Sequence, residues 1–337
     1  MKILVVRRDN IGDLVLTTPV FVALRAHFPQ ARIEALVNSY NASVIEGHKD
    51  IDAVHFYTKS KHNDSPWGAP SVWAERLRQG LELRGERFDL VVLPRPGIHP
   101  RELRLARWMN PRQIAGFVAP GAAPRAVDFP VVWRGPEGRH HLEDTYRILT
   151  AFGIDGAPPA LRIGLEPAAT PRAGAPLIGV HVSARRPGNR WPESRFVELI
   201  VALHEAMGLR FRLFWAPGGE NDPRHPGDDE KARRILERTR PIPVEPVESR
   251  DLRALIVGLA GCDALICSDG GAMHIADALR KPILCFFGVS IASHWHPWGV
   301  PYRLLQPASG NAADIGVDEA RAAFTDLASE IFPANAA

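Results

Sequence analysis

The stretch CDALICSDGGAMHIADALRKPILCFFG, residues 262–288, predicts a strand, a glycine turn, a helix and a second strand in immediate succession. Ala264–Ser268 and Ile283–Phe287 are short apolar runs of the kind that form buried strands. Between them, apolar side chains recur at i, i+3, i+4 and i+7 from Ala272, which is helical spacing. A strand, a helix and another strand in this order are typical of a parallel sheet, so the stretch predicts an α/β fold.

The turn inside this stretch has two interpretations. It could simply cap the helix, with Asp269 accepting backbone hydrogen bonds. It could also bind phosphate, because unpaired N–H groups and the helix dipole favour an anion at a helix start. Asp269 would then accept hydrogen bonds from a sugar. The N–H groups concerned belong to Gly270, Gly271, Ala272 and Met273. His274, in the first turn, has no assigned role.

The same alternation of strands and helices continues along all 337 residues. Further strands are predicted at Lys2–Arg7, Arg32–Val37, Ala53–Tyr57, Phe88–Leu93, Gln113–Val118, Leu177–Ser183, Arg210–Trp215 and Ile242–Val244. The pattern also predicts helices at Asp13–Phe28, Pro70–Arg84, Arg101–Trp108, His140–Phe152, Glu193–Met207, Asp229–Arg238, Asp251–Gly261, Gly271–Arg280 and Val317–Ile331.

A Pro- and Ala-rich segment divides this alternation into two Rossmann-like, doubly wound domains. We expect an N-terminal domain at 1–160, a linker at 161–176 and a C-terminal domain at 177–337. The final helix, about 317–331, is expected to pack back on the N-terminal domain. Ligands of open α/β sheets bind beyond the carboxyl ends of the strands, so a central cleft between the domains is the expected site.

Composition excludes several classes of protein. A net charge of +3 is too small to predict nucleic-acid binding. Cys262, Cys267 and Cys285 lack paired spacing and predict buried, reduced thiols in a cytoplasmic protein. No apolar run reaches transmembrane length, so the sequence predicts no membrane-spanning helix. Peripheral contact with a membrane remains an alternative. The HWHPW stretch, 294–298, has no suitably spaced carboxylate or cysteine partner, so it predicts a packed loop rather than a metal site.

A Gly-Asp pair follows the first strand in RDNIGDLVLTTP, residues 8–19. Gly12 is predicted to allow a sharp turn, and Asp13 to begin the helix. A carboxylate at this position could be a helix cap or a general base towards a hydroxyl group. The stretch is not a GxGxxG fingerprint, which argues against a hydride-transfer enzyme.

Two loops of the second half carry candidate ligands for a phosphorylated molecule. HVSARRPGNRWPESRF, residues 181–196, brings hydroxyl and guanidinium groups to a strand end, and guanidinium groups suit bidentate phosphate contact. Its candidate binding residues are Ser183, Arg186, Asn189 and Arg190. Glu220, in APGGEND, could accept ribose hydroxyl hydrogen bonds, although a plain surface role fits equally well.

Taken together, these motifs resemble glycosyltransferase family 9, the ADP-heptose:lipopolysaccharide heptosyltransferases. The resemblance rests on ILVVRRDNIGDLVLTTPVFVALRAHFPQARI (3–33), RWPESRFVELI (190–200) and the opening stretch. It implies a two-domain GT-B fold and an inverting, metal-independent transfer from ADP-heptose, without a cofactor. It also implies that Asp13 is the catalytic base, that Asp269 contacts the donor sugar, that Glu220 binds ribose and that Ser183 touches the phosphates. The diphosphate would lie on the N–H groups of residues 270–273.

Two departures from the family pattern leave the donor open. Many members have lysine at the position of Asn189, and Ser or Thr at that of Gly270. Another nucleotide sugar is therefore an alternative, as is a secondary-metabolite acceptor in place of the lipopolysaccharide inner core. An epimerase and a non-catalytic nucleotide-sugar-binding protein are further alternatives. The resemblance is compatible with a monomer that contacts the inner face of the membrane. The candidate acceptor-binding residues are Gly12, Arg7, Arg8, Lys59, Lys61, Arg95 and His140.

Overall fold

A computed structural model of the protein describes residues 1–57, 78–122, 127–165, 174–220 and 227–332. The chain divides into two compact units, Met1–Gly164 and Leu165–Ala337. The division falls within the segment 161–176 that was predicted as a linker, of which residues 166–173 lie outside the described ranges.

The first unit is built on a six-stranded parallel sheet. Its strands are β1 (Lys2–Arg7), β2 (Arg32–Asn38), β3 (Ala53–Tyr57), β4 (Leu90–Leu93), β5 (Gln113–Val118) and β6 (Phe129–Val132), in the order β3-β2-β1-β4-β5-β6. The helices are α1 (Ile11–Val15), α2 (Thr18–His27), α3 (Pro100–Trp108) and α4 (His141–Tyr146), with residues 78–85 also helical. Short 3₁₀ helices lie at Ala42–Val44 and Arg147–Phe152.

The second unit repeats this architecture. Its strands are β7 (Leu177–His181), β8 (Arg210–Trp215), β9 (Val244–Glu248), β10 (Ala264–Ser268), β11 (Ile283–Phe286) and β12 (Tyr302–Leu305), in the order β12-β11-β10-β7-β8-β9. Its helices are α5 (Glu193–Met207), α6 (Asp229–Arg238), α7 (Leu252–Ala260), α8 (Gly271–Ala278), α9 (Ala292–Trp295) and α10 (Val317–Ile331), with 3₁₀ helices at Pro187–Asn189 and Ala312–Asp314.

Both sheets reverse their strand order at one place, and that place fixes where a ligand can bind. In the first unit the reversal lies between β1 and β4, which pair in parallel with Ile3 opposite Leu90. In the second it lies between β7 and β10, with His181 opposite Cys267. Connections leave such a pair towards opposite sides, so a crevice opens beyond the carboxyl ends of its strands. The segments that follow β1, β4, β7 and β10 therefore border these two crevices.

Each unit has an apolar core of its own. Leu4, Val6, Phe88 and Val91 belong to the core of the first unit. In the second, Trp191 is buried against Phe196 and Phe286, with ring centroids 4.8 and 4.4 Å away. The final helix α10 buries Ala320, Phe324 and Ala328 in this same core of the second unit.

Several predicted elements have different bounds, and each difference has a local cause. The single helix predicted at Asp13–Phe28 is two helices, because Thr17 interrupts it and Pro19, near the start of α2, lacks an N–H group. Strand β9 begins at Val244, so the strand predicted at Ile242–Val244 is misplaced. The edge strands β6 and β12 were missed. Strands β6 and β9 both contain proline, which sheets tolerate at their edges.

Candidate active site

The Asp13 carboxylate is held by three hydrogen bonds and by an ion-pair contact with His141. Arg7 Nη2 donates to Oδ1 at 3.0 Å, and His141 Nε2 lies 3.3 Å from the same oxygen. The backbone N–H and the side-chain Nδ2 of Asn10 both donate to Oδ2, at 3.1 and 2.9 Å. An ionised carboxylate offers about four lone-pair sites, so these contacts use its full capacity. One oxygen of Asp13 thus caps α1, and the other faces two basic side chains.

These neighbours determine the charge of Asp13. Burial alone would raise the pKa of this carboxyl group. The hydrogen bond with His141 and the positive charge of Arg7 outweigh burial and hold the pKa well below its usual range. Arg7 is 1 % exposed, so little solvent screens its charge. Asp13 is therefore an anion throughout the physiological pH range.

A second set of ion pairs spans the crevice between β1 and β4. Asp9, which follows β1, lies with its Oδ2 3.3 Å from Nε of Arg7 and 3.3 Å from Nε of Arg95, which follows β4. Arg95 Nη1 also donates to Oε1 of Glu102 at 3.0 Å. Burial raises the pKa of Asp9 even though both guanidinium groups favour its ionised form. The two arginines at this crevice are thus largely engaged by carboxylates of the protein itself.

Of the other residues predicted to bind an acceptor, Gly12, His140 and Arg8 are described in the structure. Gly12 lies inside α1 rather than at a sharp turn, so its predicted role in a turn is wrong. His140 caps α4, since its Nδ1 accepts the N–H of Leu142 at 3.1 Å. Arg8 is half-buried on the segment that leaves β1. Lys59 and Lys61 lie outside the described residues.

In the second unit, Asn189 and Ser290 hold the Asp269 carboxylate. Asn189 Nδ2 donates to Asp269 Oδ2 at 3.0 Å and to Ser290 Oγ at 3.0 Å. Ser290 Oγ itself donates to Asp269 Oδ2 at 2.5 Å. Asn189 Oδ1 accepts the N–H groups of Gly288 and Val289, both at 3.1 Å. The contacts of buried Asn189 use its amide fully, so it joins the segments that follow β7, β10 and β11.

The helix start beside Asp269 has open space in front of it. Gly270 is in an extended conformation with φ 162°, which any residue can adopt. A Cβ atom built on Gly270 meets no described atom within 4 Å. The helix α8 begins at Gly271, and the first N–H groups of a helix have no partner within it. Neither the backbone conformation nor packing therefore requires glycine at position 270, and the space in front of the helix start is open.

The predicted binding residues of the 183–190 loop have different partners. Arg186 Nη1 reaches Ser290 Oγ at 3.5 Å and so lies beside Asp269. Ser183 Oγ accepts the N–H of Ala216 at 2.8 Å, which ties it to the end of β8. Arg190 Nε donates to the carbonyl of Ala184 within the loop at 3.0 Å.

Glu220 lies near the start of α6 rather than beside Asp269. Its Oε1 accepts a hydrogen bond from Arg234 Nη2 at 2.7 Å. Arg234 also donates to Glu193 Oε2 at 2.7 Å, so it bridges two helices and the loop after β8.

Sequence reasoning missed two contributors to these sites and did not connect a third with Asp13. The third is His141, which carries no motif of its own and lies at the start of a predicted helix. Ser290 lies in a short loop after β11 with no recognisable pattern. Asp277, on the buried side of α8, accepts the N–H groups of Trp298 and Gly299 at 2.6 and 3.1 Å. That contact attaches the HWHPW stretch to α8, and burial raises the pKa of Asp277 to about 6.

The described residues contain neither a membrane-spanning helix nor a metal-binding cluster. No helix there is long and apolar enough to cross a membrane. No group of three or more His, Cys, Asp or Glu side chains there is arranged to hold a metal ion. The three cysteines are buried and unpaired, as predicted.

Comparison with known proteins gives a consistent result. Residues 113–318 match the model of glycosyltransferase family 9 (heptosyltransferase). Lipopolysaccharide heptosyltransferase 3 of Escherichia coli is 23% identical over 309 residues, which cover 85% of this chain and 83% of the relative. Lipopolysaccharide heptosyltransferase 1 of Pseudomonas aeruginosa is 26% identical over 300 residues, with 86% and 79% covered.

Solved structures share the fold over nearly the whole chain. The E. coli heptosyltransferase WaaC with ADP superimposes with a TM-score of 0.79 at 18% identity, covering 97% of this chain and 100% of that one. A family 9 glycosyltransferase from Veillonella parvula gives 0.77 at 19% identity, covering 98% and 97%. The matched family model spans more than half of the chain, and the fold agrees with it. The protein therefore belongs to glycosyltransferase family 9, the heptosyltransferases, and has their α/β GT-B fold.

Proposed function

We propose that this glycosyltransferase moves a heptose from ADP-heptose to a hydroxyl group of an acceptor glycan such as the lipopolysaccharide inner core. The transfer would invert the anomeric centre and need neither a metal ion nor another cofactor. The observation that carries the proposal is the open helix start at Gly270 beside the held carboxylate of Asp269. Relatives named as lipopolysaccharide heptosyltransferases, and a structure solved with ADP, support this choice of donor and acceptor.

The donor would be bound by the second unit. The N–H groups of Gly270, Gly271, Ala272 and Met273 would hold the diphosphate, where they and the helix dipole stabilise the negative charge that develops on the leaving group. Arg186 reaches Ser290, which bonds to Asp269, and would add to this stabilisation. Asp269 keeps Oδ1 for a sugar hydroxyl, since Asn189 and Ser290 bind Oδ2.

Asp13 would act as the base, and its low pKa restricts the stage of the reaction at which it can accept a proton. A carboxylate that is so weakly basic takes a proton only from an oxygen that has already become acidic. The acceptor hydroxyl becomes acidic as it bonds to the anomeric carbon, so proton transfer would follow bond formation. Because both oxygens of Asp13 already have partners, the hydroxyl must displace one of them. The side-chain Nδ2 of exposed Asn10 is the donor that leaves at the lowest cost.

Acceptor recognition would rest on fewer free cations than the sequence indicates. Arg7 and Arg95 are paired with Asp9, Asp13 and Glu102. Their charges are therefore already balanced within the first unit, and they would offer hydrogen bonds to hydroxyl groups rather than net positive charge.

A matched pair of glycine variants separates a phosphate site from a capped turn. Gly270 and Gly316 both precede a helix, and a Cβ atom at either meets no described atom within 4 Å. We expect Gly270→Ala to keep the wild-type melting temperature and to weaken ADP binding about tenfold. The added Cβ atom would keep the diphosphate away from the backbone N–H groups, so that charge-assisted hydrogen bonds to them are lost. Gly316→Ala should bind ADP normally. Equal ADP affinity in both variants would contradict the proposed diphosphate site.

A thermal-shift panel of ADP, UDP and GDP tests the donor. A ligand at 100 times its Kd stabilises the folded state by about 2.7 kcal/mol, so the nucleotide with the highest affinity gives the largest shift. We expect that nucleotide to be ADP. A larger shift with UDP would refute ADP-heptose as the donor and leave the fold assignment unchanged.

A further inference from the structure

A buried lysine without a role in the proposed transfer lies under the 183–190 loop. Lys231, in the first turn of α6, is 8% exposed. Lysine is rarely buried this deeply unless its amino group is bound. Here Nζ donates to the carbonyl of Val182 at 2.7 Å and to the carbonyl of Trp191 at 3.4 Å. It also lies 5.2 Å from the ring centroid of Phe196.

These two carbonyl groups are special because they flank the loop. Val182 immediately precedes residue 183, and Trp191 immediately follows residue 190. One amino group thus closes the base of a loop that carries Ser183, Arg186 and Asn189. Both ends are themselves anchored, since the N–H of Val182 donates to Phe214 O at 3.0 Å and the indole of Trp191 to a carbonyl of the second unit's core.

The charged neighbours of Lys231 include two residues that were predicted to bind the donor, Arg190 and Glu220. Burial lowers the pKa of Lys231, whereas the carboxylates of Asp228, Glu193 and Glu220 favour its charged form. The positive charge of Arg190, on the loop itself, opposes it. Lys231 therefore interacts electrostatically with both the 183–190 loop, through Arg190, and the candidate ribose ligand Glu220.

We propose that Lys231 is a positioning residue for the nucleotide diphosphate: it ties Val182 to Trp191 and so holds the 183–190 loop in the shape that binds the donor. The inference rests on the proposed function. It differs from a general stabilising role because the bond network of Lys231 includes both ends of this one loop. Its loss should therefore change donor binding more than acceptor binding or the chemical step.

The test compares Lys231→Met with Arg233→Met, a control on the same helix whose side chain is exposed and pairs with Glu237 one turn away. ADP affinity is measured by calorimetry, and hydrogen exchange of peptides covering residues 183–190 by mass spectrometry. We expect Lys231→Met to weaken ADP binding at least about tenfold, equivalent to about 1.4 kcal/mol, and to speed exchange in the loop. The KM for the sugar donor should rise, while kcat and the acceptor KM stay close to the wild type. Arg233→Met should change none of these.

The outcomes separate this inference from the proposed function. If the wild type itself fails to bind ADP, the proposed donor is wrong and the inference falls with it. If the wild type binds ADP and the folded fraction of Lys231→Met binds it equally well, only the inference is overturned. Should Lys231→Met not fold, Lys231→Gln provides the same test, because its side chain is one methylene shorter and uncharged and so cannot reproduce the charge-assisted bonds of Nζ to both carbonyls. An unchanged ADP affinity in Lys231→Gln, with unchanged loop exchange, would overturn the inference as well.

Discussion

Replacing Arg7 by methionine tests whether the state of Asp13 depends on a buried ion pair. Methionine keeps most of the aliphatic volume of arginine and removes its charge. Arg7 is almost fully buried, with Nη2 3.0 Å from Asp13 Oδ1 and Nε 3.3 Å from Asp9 Oδ2. Removing one partner of a buried ion pair costs about 3–5 kcal/mol, because the remaining charge stays out of water without compensation. We expect a loss of unfolding free energy of this size at pH 7.

The same substitution should change the pH dependence of activity. In the wild type, the pKa of Asp13 is lowered from an ordinary 3.8, so its stabilising contribution is present above about pH 4 and is lost only as the pH falls through the folded-state pKa. Without Arg7, burial is opposed by fewer charges, and the pKa of Asp13 rises. The acid limb of kcat/KM should therefore move to higher pH in Arg7→Met.

Two assays measure these effects. Urea unfolding followed by hydrogen exchange of peptides from residues 1–57 reports on the first unit alone, and the pH profile of kcat/KM reports on Asp13. The double variant Arg7→Met/Asp13→Asn is the control, since it removes both charges and should lose less stability than Arg7→Met. The reasoning is refuted if Arg7→Met stays within about 1 kcal/mol of the wild type and keeps its acid limb, because a buried pair would then be worth no more than an exposed one.

Three further substitutions test other parts of the structure. Burial raises the pKa of Asp144 to about 7 from 3.8, so the folded state loses stability as the pH rises between these values. Urea unfolding should therefore show Asp144→Asn more stable by about 2–4 kcal/mol at pH 8 and equal to the wild type below pH 4. Trp191→Ala should lower the free energy of unfolding by about 3–5 kcal/mol, since it empties a core position whose indole also donates to Ile315 O at 3.0 Å. In Gly288→Ala, the new Cβ atom would lie 1.8 Å from Gly188 O, so the two loops must separate. Overpacking of this kind costs about 1–3 kcal/mol, and calorimetry should show ADP binding weakened about tenfold.

Local patterns were sufficient to predict most of the fold. Helix α5 and strand β10, for example, have the predicted bounds, because apolar periodicity and start signals lie within each segment. The edge strands β6 and β12 were missed because they are short and only partly buried, which leaves little apolar pattern to read. The strand at Val244–Glu248 was misplaced for the same reason.

The candidate sites were predicted only as far as each residue's own neighbours in the sequence. Asp269 stands beside glycine directly after a strand, and Asp13 stands beside glycine in the first turn of a helix; both are local signals. The partners that fix their chemistry are distant in sequence: His141 is 134 residues from Arg7, and Asn189 is 80 from Asp269. Such contacts depend on strand order and on the path of each loop, and spacing along the chain does not encode them directly. Sequence therefore identified the carboxylates, whereas the structure was needed to find what holds them.

The most direct test of the account is the turnover of Asp13→Asn with ADP-heptose and an acceptor, measured beside its ADP affinity. Asparagine keeps the size of the side chain and removes the base. Loss of a general base lowers kcat by about 10²–10⁴-fold, and we expect a fall within this range. ADP affinity should be unchanged, because the proposed nucleotide contacts belong to the other unit. Turnover within a few-fold of the wild type would show that Asp13 is only a helix cap, and would contradict the account.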